Sequence, residues 1–185
     1  DVVLCERKQL TSGTTWHAAG LVTQLRATRN MTELAKYTGE LFSSLEAETG
    51  QATGFKQNGS FRLAKTPARF EELKRGVSMA RNFGLAADVM TPGEIKERYP
   101  LITVDDIVGG IWMPKDGQVN PADVTMAMAK GARNKGVRIL ENTKVQRIVT
   151  ENGRVIGVEI DGGLLRADKV VIAGGMWSRD LAADI

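Results

Sequence analysis

The sequence has few of the residue types that build disulfides or zinc sites, and it has no long apolar run. Its 185 residues include one cysteine, Cys5, and one histidine, His17. A single cysteine cannot form a disulfide within the chain, which fits a reducing compartment, and so few cysteines and histidines argue against a structural zinc site. No apolar run approaches the roughly 20 residues of a membrane span. With 42% apolar residues, the composition is typical of a soluble globular protein.

The charges of the chain are nearly balanced and are spread along it. Lysine and arginine total 25, and aspartate and glutamate total 22, which gives a net charge of +3. This small excess argues for neither nucleic acid nor an anionic membrane as a partner. The length suffices for one domain with a hydrophobic core or for parts of two. A bacterial cytoplasm or a mitochondrial matrix would both suit the single thiol.

Helices and short strands alternate in the first two thirds of the sequence. DVVLCE predicts a buried parallel strand, and GSFRLA at 59–64 and GGIWM at 109–113 predict two more. One helix is predicted from Asn30, as its cap, to about Thr49, with Gly50 after its end. Three more helices are predicted after cap-then-proline pairs, which are Thr66-Pro67, Thr91-Pro92 and Asn120-Pro121. A turn is predicted at Asp116-Gly117.

From residue 136 onwards the periodicity becomes that of strands. Four segments are strand-like: VRILEN, KVQRIVT, RVIGVEI and KVVIAGG. Asn152-Gly153 and Asp161-Gly162-Gly163 predict tight turns between them. A helix, a strand, a short antiparallel meander and a returning apolar strand are therefore expected in that order. The whole pattern predicts an α/β fold with an inserted α+β portion at 54–115.

Glu6 ends the first predicted strand and is the first candidate for ligand binding. In dinucleotide-binding folds, a carboxylate at such a position accepts hydrogen bonds from ribose hydroxyls. The alternative is a solvated charge at a strand end, which is the commoner case when the residue is taken alone. A run of hydroxyls follows at 11–15 and presents side-chain and backbone donors without bulk. That run suits a phosphate at a helix start, but an ordinary capped turn is the commoner case when the run is taken alone.

His17 has three interpretations. It could be a packed core histidine, a general base, or a nucleophile toward an electrophilic carbon of a cofactor. Its neighbours, Trp16 and the run Ala18-Ala19-Gly20, are apolar or small. They leave room for a flat ring and supply no carboxylate to orient a base, but the spacing alone does not choose among the three.

The segment VVIAGGMWS at 170–178 predicts a buried strand that ends in small residues. Ala173, Gly174 and Gly175 allow another molecule to come close to the backbone. In open α/β sheets, ligands bind outside the carboxyl ends of the strands. Glu6, the hydroxyl run and Gly174-Gly175 are therefore expected to converge at one edge.

Several segments resemble one family of flavoproteins. ERKQLTSGTTWHAAGL is similar to the flavin-attachment segment of dimethylglycine and sarcosine dehydrogenases, in the D-amino-acid-oxidase-like group. WMPKDGQVNPADVTMAMAKGAR and ADKVVIAGGMWSR are similar to two further segments of that family, in the same order. ETGQATGFKQNGSFRLA also fits, so the resemblance covers essentially the whole chain.

The resemblance implies FAD as the cofactor. His17 matches the histidine that is commonly bonded to the 8α carbon of the flavin, Glu6 and Arg7 match positions at the adenosine ribose, and Val145 matches a strand residue whose backbone meets the adenine. Trp177 matches a residue near the cofactor, and Ala173 and Gly174 are expected near the pyrophosphate. The stretch that lines the pyrophosphate and the isoalloxazine is matched by Gly13, Thr14, Thr15, Trp16, His17, Ala18, Ala19, Gly20 and Leu21.

The resemblance also implies a division of the chain. Residues 1–53 and 116–185 would form two parts of an FAD-binding domain, with a portion of the substrate domain at 54–115. Family members carry a strand and a G-x-G-x-x-G loop about 20 residues before the acidic strand end, and no residue precedes Asp1 here. The chain is therefore expected to be a fragment: a partial Rossmann-like FAD-binding domain that lacks its first strand and Gly-rich loop. Substrate-contacting residues and any tetrahydrofolate-binding region would lie elsewhere, so no catalytic residue is assigned.

The implied activity is the oxidation of an N-methylated glycine, dimethylglycine or sarcosine. Hydride transfer to the flavin would yield a demethylated amine and formaldehyde, and the electrons would pass to an electron-transfer flavoprotein or to oxygen. The competing enzyme is another flavin oxidase of this fold, acting on a D-amino acid or glycerol 3-phosphate, and the TWHAAG segment argues against it. An inactive truncated chain is the alternative without enzyme activity.

Overall fold

The computed structural model describes residues 1–183, which form strands and helices of a mixed α/β fold. The strands are β1 (Val3–Cys5), β2 (Leu21–Val22), β3 (Ser60–Ala64), β4 (Asp88–Met90), β5 (Gly109–Met113), β6 (Gly117–Gln118), β7 (Arg138–Leu140), β8 (Arg147–Glu151), β9 (Arg154–Ile160) and β10 (Gly163–Arg166). The α-helices are α1 (Arg29–Thr49), α2 (Pro67–Asn82), α3 (Pro92–Arg98), α4 (Pro121–Asn134) and α5 (Ser178–Leu181). Short 3-10 helices cover Thr14–His17 and Gly175–Trp177. The last two residues of the predicted segment 116–185 lie outside the described part.

The three helices with cap-then-proline starts begin where the sequence predicts. The Thr66 and Thr91 hydroxyls accept hydrogen bonds from the third helical N–H, at 3.2 and 3.3 Å. Asn120 Oδ1 accepts from Ala122 N at 3.0 Å and from Asp123 N at 3.3 Å. Because each cap satisfies N–H groups that the helix itself cannot, these prolines begin helices at little cost.

The predicted cap of α1 is wrong by two residues. Thr28, not Asn30, is the extended residue before the helix, and its hydroxyl accepts from Met31 N at 3.4 Å. Asn30 already lies inside the first turn. Threonine and asparagine are both good capping residues. At Thr28 the cap is reinforced, because the Thr32 hydroxyl donates a hydrogen bond to the Thr28 carbonyl at 2.9 Å. Gly50 ends the helix in a left-handed conformation, as predicted.

Two other local predictions are corrected. The turn predicted at Asp116-Gly117 lies earlier, because Asp116 N already donates back to Met113 O and Gly117 begins β6. The returning strand predicted at 169–175 is absent from the described residues: 169–174 have no regular structure, and Val171 is 88% exposed. An apolar run becomes a strand only when a neighbouring strand supplies hydrogen-bond partners, and here none does.

The contacts divide the chain into two compact units. The first comprises 1–16 and, within the described residues, 129–183. In it, β1 and β7 pair in parallel, with Leu4 opposite Ile139. β8, β9 and β10 form the predicted antiparallel meander, with a bulge between Val149 and Thr150. Asn152 and Gly153 both have positive φ, as the turn predicted between β8 and β9 requires.

The second unit comprises 17–128. Its main sheet has the antiparallel order β3-β5-β4, and α2 packs on it. Ala64, Leu73 and Ile111 are buried in the core between them. A smaller antiparallel pair joins β2 to β6. The predicted boundaries at 53/54 and 115/116 stay a prediction. Within residues 1–183, no helix is both long and apolar enough to span a membrane.

Candidate functional site

Glu6 follows β1 directly, and its backbone is fixed by the parallel neighbour. Glu6 N donates to Leu140 O at 2.9 Å, and Thr143 N donates to Glu6 O at 2.8 Å. The carboxylate then folds back, and its Oε1 accepts from Lys8 N at 2.8 Å. Oε2 has no protein partner within residues 1–183 and is free to accept from a ligand. The half-buried Glu6 therefore combines a rigid backbone with an available acceptor.

The turn after Glu6 is held by residues that follow β7. Asn142 N donates to Lys8 O, and Leu10 N donates to the Glu141 carboxylate, both at 2.7 Å. Glu141 is thus a structural residue of the site that sequence reasoning missed. The sequence does contain a signal for this role, because Glu141 directly follows the apolar residues of a predicted strand, as Glu6 does.

Thr11 is the strained residue of the hydroxyl run. Its φ of 74° lies in the left-handed region, which a β-branched residue rarely adopts. Its carbonyl accepts from Trp16 N at 3.2 Å and so closes the loop over the first residues of the 3-10 helix Thr14–His17. Ser12, Gly13 and Thr14 are exposed, and Thr15 is half-buried. The run is therefore an accessible, constrained loop with exposed hydroxyls.

Three residues of the predicted set meet in the first unit. The Arg7 guanidinium lies over the Trp177 ring, 4.3 Å from its centroid. A methyl group built on Gly13 would stand 4.0 Å from Trp177 Cζ3, so Gly13 also borders the ring. The turn after β1, the hydroxyl run and the 3-10 helix Gly175–Trp177 thus converge, although residues 169–174, directly before that helix, form no strand.

Three other predicted residues also belong to the first unit. Gly174 accepts a hydrogen bond from Trp177 N at 3.1 Å and faces Ser178 and Leu181 of α5. Ala173 is exposed beside it. Val145 is half-buried just before β8 and precedes Gln146, whose N–H donates to Glu159 O at 2.8 Å.

His17 opens an exposed run in the second unit. Its side chain is exposed, as are Ala18 and Ala19, so it is not a packed core histidine. Its imidazole has no hydrogen-bond partner within the described chain and no carboxylate to orient it as a base. Exposure therefore excludes the first interpretation, and the general-base and nucleophile interpretations stay predictions.

The run from His17 to Leu21 ends on a fixed backbone. Gly20 is buried with a φ of 76°, and its carbonyl accepts from Val119 N at 2.9 Å. A side chain at Gly20 would collide with the Val119 carbonyl. Leu21 then pairs with Gln118 in the β2–β6 ladder but leaves its own side chain 73% exposed. The exposed small residues are therefore attached to a rigid anchor.

Asp116 is a second anchor that sequence reasoning treated only as a turn residue. Its side chain is fully buried and accepts from Gln24 N at 2.8 Å and from the Ser60 hydroxyl at 2.6 Å. These bonds join the segment after β2, the start of β3 and the start of β6. This carboxylate is buried among hydrogen-bond donors and forms no ion pair within residues 1–183, and it holds three chain segments in register.

Burial raises the pKa of the Cys5 thiol, which lies in β1. Its neutral form is therefore favoured, which suits a packed rather than a reactive cysteine. Among residues 1–183, the histidine, cysteine and acidic side chains form no group of three that could hold a metal ion.

The whole chain, residues 1–185, matches the protein family described as FAD dependent oxidoreductase (DAO). The chain is 40% identical to 4-methylaminobutanoate oxidase (formaldehyde-forming) of Paenarthrobacter nicotinovorans, over 99% of its length and 22% of that protein. It is 38% identical to mitochondrial dimethylglycine dehydrogenase of Rattus norvegicus, over 98% of its length and 21% of that protein. With human mitochondrial sarcosine dehydrogenase it shares 40% identity, over 95% of its length and 20% of that protein.

Solved structures with this fold agree with the sequence matches. L-proline dehydrogenase from P. horikoshii superposes with a TM-score of 0.92 at 27% identity and covers 99% of this chain. Glycine oxidase from Bacillus cereus superposes with a TM-score of 0.84 at 30% identity and also covers 99%. The chain spans 49% and 52% of these two proteins, and about a fifth of the length of the curated relatives.

Proposed function

We propose, since this chain belongs to the FAD dependent oxidoreductase family, that the protein containing it is an FAD-dependent enzyme that oxidises N-methylated amino acids. The observation that carries the proposal is the exposed, unpartnered imidazole of His17 at the head of a small-residue run on a rigid anchor. That arrangement suits a planar ring and a bond to it, and the relatives with 38–40% identity are named for N-methyl amines.

The donor set of the chain fits FAD. A nucleotide needs an acceptor for its ribose hydroxyls, and Glu6 Oε2 is free at the end of a parallel strand. It also needs small, polar surroundings for the pyrophosphate, which the exposed residues from Ser12 to Thr14 supply. Arg7 and Trp177 add a cation over an aromatic ring beside Gly13. These features support FAD as the cofactor.

Each predicted residue then has a role toward the cofactor. Glu6 and Arg7 would hold the adenosine ribose, and Val145 would offer its backbone to the adenine. Residues 13–21 would line the pyrophosphate and the isoalloxazine, with His17 bonded to the flavin's 8α carbon. Ala173 and Gly174 would lie near the pyrophosphate, and Trp177 would lie near the cofactor. When bound, FAD accepts a hydride from the carbon next to the substrate nitrogen.

The substrate class follows from the relatives rather than from a pocket in this chain. Dimethylglycine, sarcosine or a related N-methyl amino acid would lose its methyl group as formaldehyde after oxidation. A separate electron-transfer flavoprotein or oxygen would accept the electrons, and tetrahydrofolate would take up the one-carbon unit in a region outside these residues. A bacterial cytoplasm or a mitochondrial matrix suits this chemistry.

Anaerobic reduction of the full-length protein tests the function. Dimethylglycine, sarcosine and 4-methylaminobutanoate are added separately, with glycine and proline as unmethylated controls, while flavin absorbance and formaldehyde are recorded. The proposal predicts that at least one N-methylated compound bleaches the flavin and releases formaldehyde stoichiometrically. Bleaching by glycine or proline alone would move the protein to another branch of the family.

A further inference from the structure

A cavity of about 340 Å³ in the second unit is lined by an excess of positively charged side chains. It opens between the chain before α1, the strands β3 and β5, and the exposed side of α2. Four arginines, Arg26, Arg62, Arg69 and Arg75, contribute to the lining, and Glu72 is the single acidic residue there. The chain as a whole has nearly equal numbers of positive and negative residues, so this concentration is local.

The one carboxylate in the wall is already engaged. Arg69 Nη1 lies 2.6 Å from Glu72 Oε2, and the Arg69 guanidinium, with a weaker contribution from Arg75, lowers the pKa of Glu72. Glu72 is therefore ionised and neutralises one guanidinium. Arg75, one turn of α2 farther along, lies within electrostatic reach of the same carboxylate but has no ion pair of its own in residues 1–183.

The other two arginines bind only neutral oxygens. Arg26 Nη1 donates to the Thr23 hydroxyl at 2.7 Å, and Arg62 Nη2 donates to the Leu25 carbonyl at 3.3 Å. Arg62 is half-buried, because it projects from β3 between Leu25 and α2. Because its partner is a neutral carbonyl and not a carboxylate, Arg62 keeps its full positive charge at the cavity wall.

The floor of the cavity is apolar. Leu25, Leu73 and Ile111 line it and belong to the buried core between the sheet and α2, and Met79 adds a flexible apolar side chain. Cationic groups around an apolar floor fit a ligand that has both charged and hydrocarbon parts. Guanidinium groups match the planar or tetrahedral oxygens of carboxylates and phosphates through paired hydrogen bonds.

We propose that this cavity binds a small organic anion that carries at least two negative charges, as carboxylates or phosphates, with its hydrocarbon part on the apolar floor. Arg62 and Arg75 contact the anionic groups, while Arg69 remains paired with Glu72. None of the lining residues belongs to the set proposed for FAD, so the site stands independently of the proposed function.

Binding is measured on the full-length protein by titration calorimetry, with inorganic phosphate and succinate as separate probes at constant ionic strength. The wild type is expected to bind at least one probe saturably. Arg62→Gln should weaken that binding by at least tenfold, whereas the exposed Arg166→Gln, which removes the same charge from β10, should leave it unchanged. Saturation by phosphate alone or by succinate alone identifies which group the arginines select, and either result supports the site.

Arg75→Gln, on the exposed side of α2, provides a second test in case Arg62→Gln perturbs the core. It too should weaken binding several-fold, with unchanged circular dichroism. Heats that do not saturate for either probe in the wild type would overturn the proposal. So would equal affinities in the wild type and Arg75→Gln, because the probe would then bind elsewhere. Equal weakening in Arg75→Gln and Arg166→Gln would also overturn it, because binding would then depend on total charge rather than on this cavity.

Discussion

The guanidinium of Arg7 lies over the indole of Trp177, 4.3 Å from the ring centroid. The contact joins the turn after β1 to the 3-10 helix near the other end of the described chain, and Gly13 borders the same ring. Both residues are predicted cofactor contacts, so one interaction couples the two segments that would hold the nucleotide.

Removing this contact should destabilise the protein measurably. Trp177→Ala and Arg7→Ala are each expected to lower the free energy of unfolding, and their double-mutant cycle should give a coupling of about 0.5–1 kcal/mol for a partly exposed cation–π pair. Trp16→Ala is the control, because Trp16 is 72% exposed. Denaturant unfolding is measured for the wild type, the two single variants, the double variant and the Trp16→Ala control. A coupling free energy near zero would show that the pair contributes nothing.

Replacing the buried anchor Asp116 should have a larger effect. Asp116→Ala leaves Gln24 N and the Ser60 hydroxyl without their acceptor in a buried place, which should cost about 2–4 kcal/mol of stability. Asp105→Ala removes an exposed carboxylate nearby in sequence and should change stability by less than about 0.5 kcal/mol. Similar unfolding midpoints for the two variants would contradict the anchoring role.

Alanine substitutions at two glycines distinguish the stability cost of backbone strain from that of a steric collision. Gly20 and Gly136 both have positive φ, but a side chain at Gly20 meets the Val119 carbonyl, whereas none of the described atoms lies within 4 Å of one at Gly136. Gly136→Ala should therefore cost about 1 kcal/mol of strain, and Gly20→Ala should cost more. Thermal unfolding measures both, and equal losses would mean that the anchor beneath the His17 run tolerates displacement.

Glu94 gives α3 a pH-dependent stability. The carboxylate accepts hydrogen bonds from Thr91 N and the Thr91 hydroxyl, and the backbone bond chiefly lowers the pKa of Glu94. Because the folded pKa is depressed, this stabilisation is fully present above the ordinary value of about 4.3 and is lost as pH falls through the folded pKa. Glu94→Gln should thus be less stable than wild type at pH 7, with a difference that shrinks below pH 4.

Acid titration of stability checks this sign. The control is Glu97→Gln, on the same helix, which should remain parallel to the wild type between pH 7 and pH 3 because Glu97 makes no capping bond in the described chain. A stability difference for Glu94→Gln that grows toward low pH would reverse the assignment.

Local signals predicted most of the fold. Thr66, Thr91 and Asn120 cap helices, and Asn152-Gly153 forms its hairpin turn, because each depends only on neighbouring residues. The returning strand at 169–175 was predicted from its apolar pattern and is not formed. A strand depends on a partner distant in sequence, which hydrophobic periodicity does not reveal.

The same distinction applies to the site. The strand-end position of Glu6 could be predicted because it follows from β1 itself. The hydrogen bond from Leu10 N to Glu141 and those that Asp116 accepts from Gln24 N and the Ser60 hydroxyl join residues far apart in sequence, and the strained φ of Thr11 follows from loop closure. These features could not be predicted from the sequence, because they depend on the folded chain.

The attachment of flavin to His17 is tested most directly by denaturing the full-length protein in acid. The precipitate is washed, and flavin fluorescence is measured in the protein band and in the supernatant for wild type, His17→Ala and the exposed control Gln9→Ala. Covalent attachment through His17 predicts fluorescent protein for wild type and Gln9→Ala, and fluorescence only in the supernatant for His17→Ala. Free flavin from the wild type, or a fluorescent His17→Ala band, would contradict it.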